Sequence, residues 1–397
     1  MKQLKRFTKL GQAVAEDWRR QHHDYSAFPE IATRCIEAAD LSRAFEVDEL
    51  TSFIARARGL SFQSDAVDFG DPPVTLFQTD RFVVDALFWV HPDTAVHDHG
   101  FSGAFSVLSG QTLHSLYEFD VEEVVDEKIA IGRLCFRRNE LLDAGAVRTI
   151  RSGSCFIHQT THLARPTVSL VVRTRRDRKI RYQRTYIPPF LSKAYVVDPE
   201  DPNREWILLR QLKLLRSLFE IGDRNFEGLV RETVKTLCPY DLCRFLEHLA
   251  TYIGSAALLR SIVANLRGPS WLLRVTESIL TLKAREKMDL NDLVDCDQKL
   301  VAALLSSFSD REWILRLLGR GRGPAFFAKH LRKLSSTGVL GFKLTDFHVD
   351  LVEAHLRHGS MDGVLAELGL TSAANRRLVS RVYSNLRETR ILSGMLG

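Results

Sequence analysis

The stretch ALFWVHPDTAVHDHGFSGAFSVLSG, residues 86–110, decides how this chain is interpreted. It opens with aromatic and β-branched residues typical of a buried strand, and it ends in a second strand pattern that closes on Gly110. Between them lies the triplet His97-Asp98-His99. Because alternate side chains of an extended segment share one face, the two imidazoles lie on the same side, about 7 Å apart along the chain. They can therefore converge on one metal ion.

A third ligand has to come from another part of the chain. His158 lies in the later strand pattern SCFIHQT, and strands distant in sequence become neighbours in a closed barrel. Three neutral imidazoles leave coordination positions open, which a catalytic metal needs and a structural metal does not. His162 is the alternative ligand, or a residue that orients a ligand or relays protons. The non-functional interpretation is a set of separate histidines, each with satisfied hydrogen bonds.

The chain around this stretch divides into three parts. Helical apolar spacing covers residues 5–58, and many short strand patterns separated by turns cover residues 72–189. A linker rich in proline and acidic residues follows, and helical spacing then continues to the end. We predict an α+β chain with an N-terminal helical segment (1–70), an antiparallel β-barrel that carries the metal site (71–195) and an all-α domain (196–397).

Two segments of the strand-rich part resemble the motifs of the cupin superfamily. HDHGFSGAFSVLSG, residues 97–110, is similar to its first motif, and GSCFIHQTTHLARPTVSLVVR, residues 153–173, is similar to its second. In the second motif a metal-binding histidine is followed four residues later by an asparagine, where this chain has His162. The resemblance implies a cupin-type barrel, also called a double-stranded β-helix.

Within the superfamily the chain most resembles the cysteine dioxygenase-like, three-histidine thiol dioxygenases over about residues 72–190. This likeness implies Fe(II) held by His97, His99 and His158, and oxidation of a substrate with O2 as cosubstrate. Since imidazoles alone do not select the metal, Zn, Ni or Mn remain alternatives. As in that family, Gly103 and Ala104 stand where other cupins often place an acidic ligand.

The chain also departs from that family. It has no cysteine near Ala104 to crosslink with a tyrosine, and the arginine that binds the amino-acid carboxylate has no clear counterpart. Cysteine itself is therefore a disfavoured substrate. RTYIPPF, residues 184–190, resembles the family's catalytic tyrosine segment. That resemblance implies that Tyr186 donates a hydrogen bond to the substrate and that Arg184 neutralises an anion.

Further residues are candidates for the same pocket. Arg173, near the end of VSLVVRT, is the alternative to Arg184 as the cation that neutralises an anion. His162 is counted with them as a catalytic candidate. His114 and Tyr117 lie on the strand pattern after Gly110 and are secondary candidates.

Composition limits where the protein acts and what it binds. The six cysteines form no CxxC pair, no stretch approaches 18 apolar residues, and the basic N-terminus lacks an apolar signal core, so we expect a cytoplasmic protein without a membrane partner. The basic excess lies in the helical half, where residues 201–397 contain 29 Lys and Arg against 22 Asp and Glu. Residues 361–382 resemble a helix-turn-helix in outline, but Asn375 occupies a position that needs an apolar side chain, so we expect no nucleic-acid partner.

These patterns favour an enzyme, a non-haem Fe(II) cupin oxygenase of the dioxygenase class. Its substrate would be small or linked to a peptide or carrier, and derived from a thiol or an amino acid. The helical half would form a lid, a docking surface or a homodimer interface. One alternative is a metal- or ligand-binding sensor whose helical domain contacts DNA or protein. A cupin isomerase or hydrolase that uses another metal is a further alternative.

Overall fold

The computed structural model describes residues 2–56, 63, 70–91, 93–196, 202–266, 268–288, 290–291, 293–319 and 322–396. Three helices come first: α1 (Lys2–Arg20), α2 (Phe28–Ala39) and α3 (Val47–Arg56). The strands follow: β1 (Pro73–Gln78), β2 (Phe82–Trp89), β3 (Gly103–Ser109), β4 (Gln111–Val124), β5 (Ile129–Asp143), β6 (Val147–Ile150), β7 (Ile157–His162), β8 (Thr167–Thr174), β9 (Arg184–Ile187) and β10 (Leu191–Ala194).

The remainder of the described chain is helical. Its helices are α4 (Pro202–Glu220), α5 (Phe226–Val234), α6 (Pro239–Ile253), α7 (Ala256–Asn265), α8 (Trp271–Glu286), α9 (Cys296–Ser306), α10 (Arg311–Leu318), α11 (Pro324–Thr337), α12 (Asp346–His358), α13 (Met361–Glu367), α14 (Ala373–Glu388) and α15 (Ser393–Leu396). None of the helices in the described part of the chain combines the length and the apolar character that crossing a bilayer requires.

The strands form two five-stranded sheets, and every strand pairing in them is antiparallel. Sheet 1 has the order β1-β2-β8-β3-β6, and sheet 2 has the order β7-β4-β5-β10-β9. Strands that are distant in sequence therefore become neighbours, as β8 does between β2 and β3. Side chains from both sheets converge on a common interior.

Sheet 1 separates two environments because its side chains alternate between faces. On the outer face, Val84, Ala86, Val168, Leu170 and Val172 share an apolar cluster with α1 and α2. The helices contribute to it through the buried residues Phe7, Leu10, Val14, Trp18, Phe28 and Ile31. The spacing of three, four and four residues along α1 keeps its members on one helix face. The N-terminal helices thus cover one side of sheet 1 and leave its other side for the interior.

Sheet 2 is covered by the C-terminal helices in the same way. Ile129, Ile131, Ile187 and Leu191 pack in one apolar cluster with α4–α8, and Leu113 and Leu163 pack in another with α9–α15. Both clusters contain strand residues as well as helix residues, so the helices bury strand surface that would otherwise face water.

A buried polar contact joins sheet 2 to the loop after α9. The Tyr117 hydroxyl lies 2.9 Å from the backbone oxygen of Ser307 and 3.1 Å from Gln159 Oε1. Asn139 donates from its amide to the hydroxyl of Ser309. Because a buried polar group is costly when unpaired, these bonds fix where the loop meets the sheet.

Residues 93–98 run beside both edge strands of sheet 2. Thr94 and His97 donate their backbone N–H groups to Thr160 and His158 of β7, each at 2.9 Å. On the other side, Tyr186 of β9 donates to the backbone oxygen of Val96 at 2.8 Å. This segment carries the first of the candidate ligands, so its backbone position is set by two strands at once.

The α+β class and the run of strands between two helical regions are confirmed. The closed double-stranded β-helix and the division at residues 70/71 and 195/196 remain predictions, and the apolar clusters contain residues from both sides of each division. Within the predicted linker, residues 197–201 lie outside the described residues, as do residues 57 and 58 at the end of the first helical pattern.

Replacing Gly103 by Ala is expected to destabilise the protein. Gly103 pairs with Arg173 in β8, and a Cβ atom added there would lie 2.0 Å from the backbone oxygen of Val172. The two strands would have to separate, which costs about 1–3 kcal/mol in the free energy of unfolding by analogy with overpacked cores. Urea unfolding followed by circular dichroism measures the change.

Gly100→Ala is the matched control, because no atom lies within 4 Å of a Cβ atom added there. We expect that variant to stay within about 0.5 kcal/mol of the wild type. Equal stability of the two variants would contradict the close approach of β3 and β8.

Candidate functional site

The backbone brings two of the candidate ligands together directly. His97 and His158 form an isolated antiparallel bridge, in which each N–H donates to the other's backbone oxygen at 2.9 Å. His97 also bridges to Thr185 of β9. His99 follows two residues later, and its backbone oxygen accepts a hydrogen bond from Gly153 at 2.8 Å. The positions of the three histidines are therefore set by main-chain hydrogen bonds.

The three imidazoles converge in the interior. Their ring centroids lie 4.7 to 4.9 Å apart, and one nitrogen from each ring lies within 4.8 Å of the others. All three side chains are buried. Metal–nitrogen bonds to histidine are about 2.0–2.1 Å long, so nitrogens this close can reach one ion after small side-chain adjustments. Among the described residues, these histidines form the single group of three or more His, Cys, Asp or Glu that could hold a metal.

Hydrogen bonds favour the nitrogen that each ring can offer to a metal. His97 Nδ1 lies 2.8 Å from the backbone oxygen of Ala95 and donates to it, which places the lone pair on Nε2. His158 Nδ1 lies 3.0 Å from His114 Nε2. The Nε2 atoms of His158 and His99 lie 2.8 Å apart. The nitrogens that could bind a metal thus point towards one another, as the ligand atoms around a shared cation do.

His99 supplies a test of whether a cation fits. Its Nδ1 is buried and has no hydrogen-bond partner. If Nδ1 carries the proton, His99 and His158 present two lone pairs to each other at 2.8 Å, an arrangement that a cation between them stabilises. Neutral imidazoles are common ligands of Fe, Zn, Ni and Cu. The donor set therefore fits a divalent transition metal.

Burial keeps these histidines neutral at physiological pH. It lowers the pKa of His97 to about 4, and it lowers the pKa values of His99 and His158 well below their usual range because a charged imidazole would lose its hydration. Each histidine can therefore offer a lone pair at pH 7 without first releasing a proton.

The histidines open onto a cavity of about 70 Å³ between the sheets. Strand alternation selects its lining: β2, β3 and β8 turn every second residue inward, and β7 turns His158, Thr160 and His162 inward. Most of the surface that faces the cavity is apolar, and the apolar lining residues are Leu87, Trp89, Phe101, Phe105, Val107, Ile150 and Val171. Its polar members include Asp85, Arg173, Ser169, Thr94, Thr112, Thr160 and His162.

Two of the predicted catalytic residues line this cavity. His162 stacks on Trp89 with ring centroids 4.4 Å apart, and its Nδ1 lies 3.0 Å from the Thr112 hydroxyl. Arg173 donates from Nε to Asp85 at 3.0 Å and lies over the Phe101 ring. Because Asp85 already pairs with the guanidinium, Arg173 is poorly placed to neutralise a substrate carboxylate.

The other two do not line the cavity. The Tyr186 hydroxyl donates to Asp98 Oδ2 at 2.9 Å, and the backbone N–H of Arg184 donates to Asp98 Oδ1 at 2.6 Å. The Arg184 guanidinium contacts Ser192 and the backbone oxygen of Glu127. Both residues bind Asp98, the carboxylate between the two histidines, because Asp98 points to the opposite side of the segment. Their predicted roles at a substrate remain predictions.

The structure also identifies groups that the sequence left secondary or unnoticed. His114, a secondary candidate, contacts His158 from behind, whereas Tyr117 faces the helices. The even spacing of Thr112 and His114 on one strand was the available signal for a shared face. The sequence does not reveal the partners of three carboxylates, because an acidic residue that pairs with another segment looks like any other charged residue in sequence. These are Asp85, Asp98 and Glu140.

No protein-family model matches this chain, and no curated protein matches it. Solved structures similar to it include a cupin-2 domain protein from Shewanella frigidimarina (12% identity, TM-score 0.20, covering 34% of this chain and 97% of the other). Hydroquinone 1,2-dioxygenase from Sphingomonas sp. TTNP3 is another (11% identity, TM-score 0.23, covering 31% and 84%). A DMSP lyase structure is a third (17% identity, TM-score 0.25, covering 46% and 98%).

One of these structures is a cupin-2 domain protein, and the two sequence motifs resemble those of the cupin superfamily. At such identities and TM-scores the similarity identifies neither an activity nor a substrate. The likeness to the cysteine dioxygenase-like subgroup remains a sequence-based prediction.

Replacing His162 by Gln is expected to reduce the slope with which the free energy of unfolding falls as the pH drops. Burial lowers the pKa of His162 to about 3, whereas a histidine in an unfolded chain has a pKa of about 6.5. Between these values the unfolded state binds more protons, so the free energy of unfolding falls as the pH drops below 6.5. One such group contributes a slope of about 1.4 kcal/mol per pH unit. Urea unfolding of chelator-treated protein at pH 7, 6 and 5 measures it.

His22→Gln serves as the control, because His22 is exposed and its replacement removes no buried imidazole. A wild-type slope in His162→Gln would mean that His162 takes up its proton in the folded protein at an ordinary pKa.

Proposed function

We propose that this protein is a non-haem cupin oxygenase that binds Fe(II) through His97, His99 and His158 and oxidises a small substrate with O2. The observation that carries the proposal is the convergence of three buried, neutral imidazoles on an apolar cavity. His97, His99 and His158 would hold the Fe(II), which would supply the redox chemistry that oxidation of a substrate with O2 requires.

The chain's own residues would bind and orient the substrate. The aromatic and aliphatic wall excludes water and favours an apolar group next to the coordinating heteroatom. Thr160 and His162 are polar groups on the same inward face of β7 and would orient the substrate by hydrogen bonds. The Arg173–Asp85 pair weakens the case for a free amino acid, since its carboxylate would compete with Asp85.

A larger, peptide- or carrier-linked substrate has support from a neighbouring cleft. This cleft of about 840 Å³ is lined by β9, β10, α6 and α8, and it shares Thr94 with the metal cavity. The ion pairs Lys193–Glu247 and Arg285–Asp93 lie on its wall. The reactive end would enter the cavity while the remainder lies against the helices, which gives the helical region a role in recognition. The predicted homodimer remains a prediction.

The first test is metal retention. Protein loaded anaerobically with Fe(II) and desalted should keep one equivalent, whereas His97→Ala and His99→Ala should keep almost none, since two imidazoles bind a labile metal too weakly. His162→Ala is the matched control, because it removes a cavity histidine outside the group of three and should retain iron. Elemental analysis measures the iron, and circular dichroism checks the fold.

Oxygen uptake separates the classes of function. Uptake by the iron-loaded protein with small apolar thiols or phenols supports the oxygenase, and loss of that uptake in His97→Ala ties it to the site. Iron that stays bound in both alanine variants would show that the site is wrongly assigned. Conversion of a substrate by protein loaded with Zn, Ni or Mn, without oxygen uptake, would indicate an isomerase or hydrolase. Salt-sensitive binding of a specific duplex would indicate the sensor.

A further inference from the structure

A row of polar side chains leads from His158 away from the cavity. His158 Nδ1 lies 3.0 Å from His114 Nε2, and His114 Nδ1 lies 3.4 Å from Glu140 Oε2. Glu140 in turn accepts a hydrogen bond from Arg148 Nε at 2.7 Å, and Arg138 lies 3.3 Å from its other oxygen. His114 is fully buried, and the Glu140 side chain is 19% exposed. The row therefore runs from the metal cavity to a paired carboxylate near the surface.

Strand register explains why these residues meet. His114 of β4 is paired directly with Glu140 of β5 on one side and with Thr160 of β7 on the other. His158, two residues before Thr160, shares its face of β7. Directly opposed side chains have Cβ atoms about 4.5–5.5 Å apart, and diagonal neighbours remain within reach of long side chains. Three adjacent strands thus place the residues in contact without any loop.

The Glu140 carboxylate determines which nitrogen carries the proton in His114 and in His158. Two arginines keep Glu140 ionised, so it only accepts hydrogen bonds and His114 must present Nδ1–H to it. His114 Nε2 then carries a lone pair and accepts from Nδ1–H of His158. The opposite tautomer would set an unprotonated His114 nitrogen against the carboxylate. This arrangement leaves the Nε2 lone pair of His158 facing the cavity, where His99 Nε2 lies 2.8 Å away.

We propose that His114 and Glu140 are positioning residues, which hold His158 in the tautomer and orientation of an Nε2 metal ligand. The inference rests on the proposed metal-binding function, which it deepens by assigning two residues behind the ligand. A carboxylate joined to a ligand histidine through a second histidine also raises the basicity of that ligand. Loss of such a partner typically weakens metal affinity about 10- to 100-fold.

Packing is the competing explanation for His114. Its ring lies 5.5 Å from that of Phe105 and 5.9 Å from that of Phe156, centroid to centroid. A purely packing role requires bulk and no particular proton. The two explanations therefore predict different results for an apolar replacement and for an amide replacement.

The variants His114→Leu and His114→Gln separate these roles. The Gln amide can accept from His158 through its oxygen and donate to Glu140 through its nitrogen, so affinity should stay within about 3-fold of the wild type, whereas Leu should lose about 10- to 100-fold. The probe is Co(II), whose affinity is measured by competition with a chelator and whose visible absorption reports its coordination. Equal affinity in His114→Leu and wild type would overturn the proposal.

A second measurement does not depend on a variant of His114. Nitrogen-15 NMR of the metal-free wild type should show the His158 proton on Nδ1, with the signal assigned by its absence in His158→Gln. Glu140→Gln should yield a mixture of tautomers, because an amide can either donate to His114 or accept from it. A proton on His158 Nε2 in the wild type would overturn the proposal even if His114→Leu does not fold.

These readouts also separate this inference from the proposed function. Failure of wild-type protein to bind Co(II) would contradict the proposed metal site, while the NMR spectrum would still decide whether His114 and Glu140 set the tautomer of His158. Normal Co(II) binding by the wild type together with an unchanged affinity in His114→Leu would contradict the positioning role alone.

Discussion

The reciprocal backbone hydrogen bonds between His97 and His158 are the constraint on which the candidate site depends. Each N–H donates to the other residue's oxygen at 2.9 Å, and His97 bridges to β9 as well. A main-chain pair of this kind has little freedom to slide, because a shift of one residue would turn His97 away from the interior. The geometry of the candidate metal site is therefore a property of strand pairing, and side-chain rotamers only complete it.

Burial then decides the chemistry that these histidines can perform. Apolar side chains from both sheets keep water from the imidazoles, which lowers their pKa values and leaves them neutral. The same burial makes an unpaired ring nitrogen costly. Ala95 satisfies Nδ1 of His97 and His114 satisfies Nδ1 of His158, whereas Nδ1 of His99 has no such partner. Hydrogen bonds thus orient two of the three candidate ligands.

The helices bury the apolar outer faces of the two sheets. Each sheet has an apolar outer face, and α1 and α2 cover one while the helices after residue 201 cover the other. The buried contacts of Tyr117 and Asn139 with the loop after α9 fix this covering in place. Residues of β9, β10, α6 and α8 line the larger cleft, which shares Thr94 with the histidine-lined cavity. The helical region is therefore part of the architecture around the site.

The sequence by itself determined the α+β class, the run of strands and the choice of His97, His99 and His158 as the residues to examine. Those inferences were accessible because strand alternation is local and because the motif resemblance spans both histidine segments. Tertiary structure alone decided what each remaining polar residue contacts. Register across strands placed Tyr186 and Arg184 on Asp98, paired Arg173 with Asp85 and aligned Glu140 with His114 behind His158. The physical reason is that a hydrogen bond between strands depends on pairing partners far away in the chain, which no local pattern encodes.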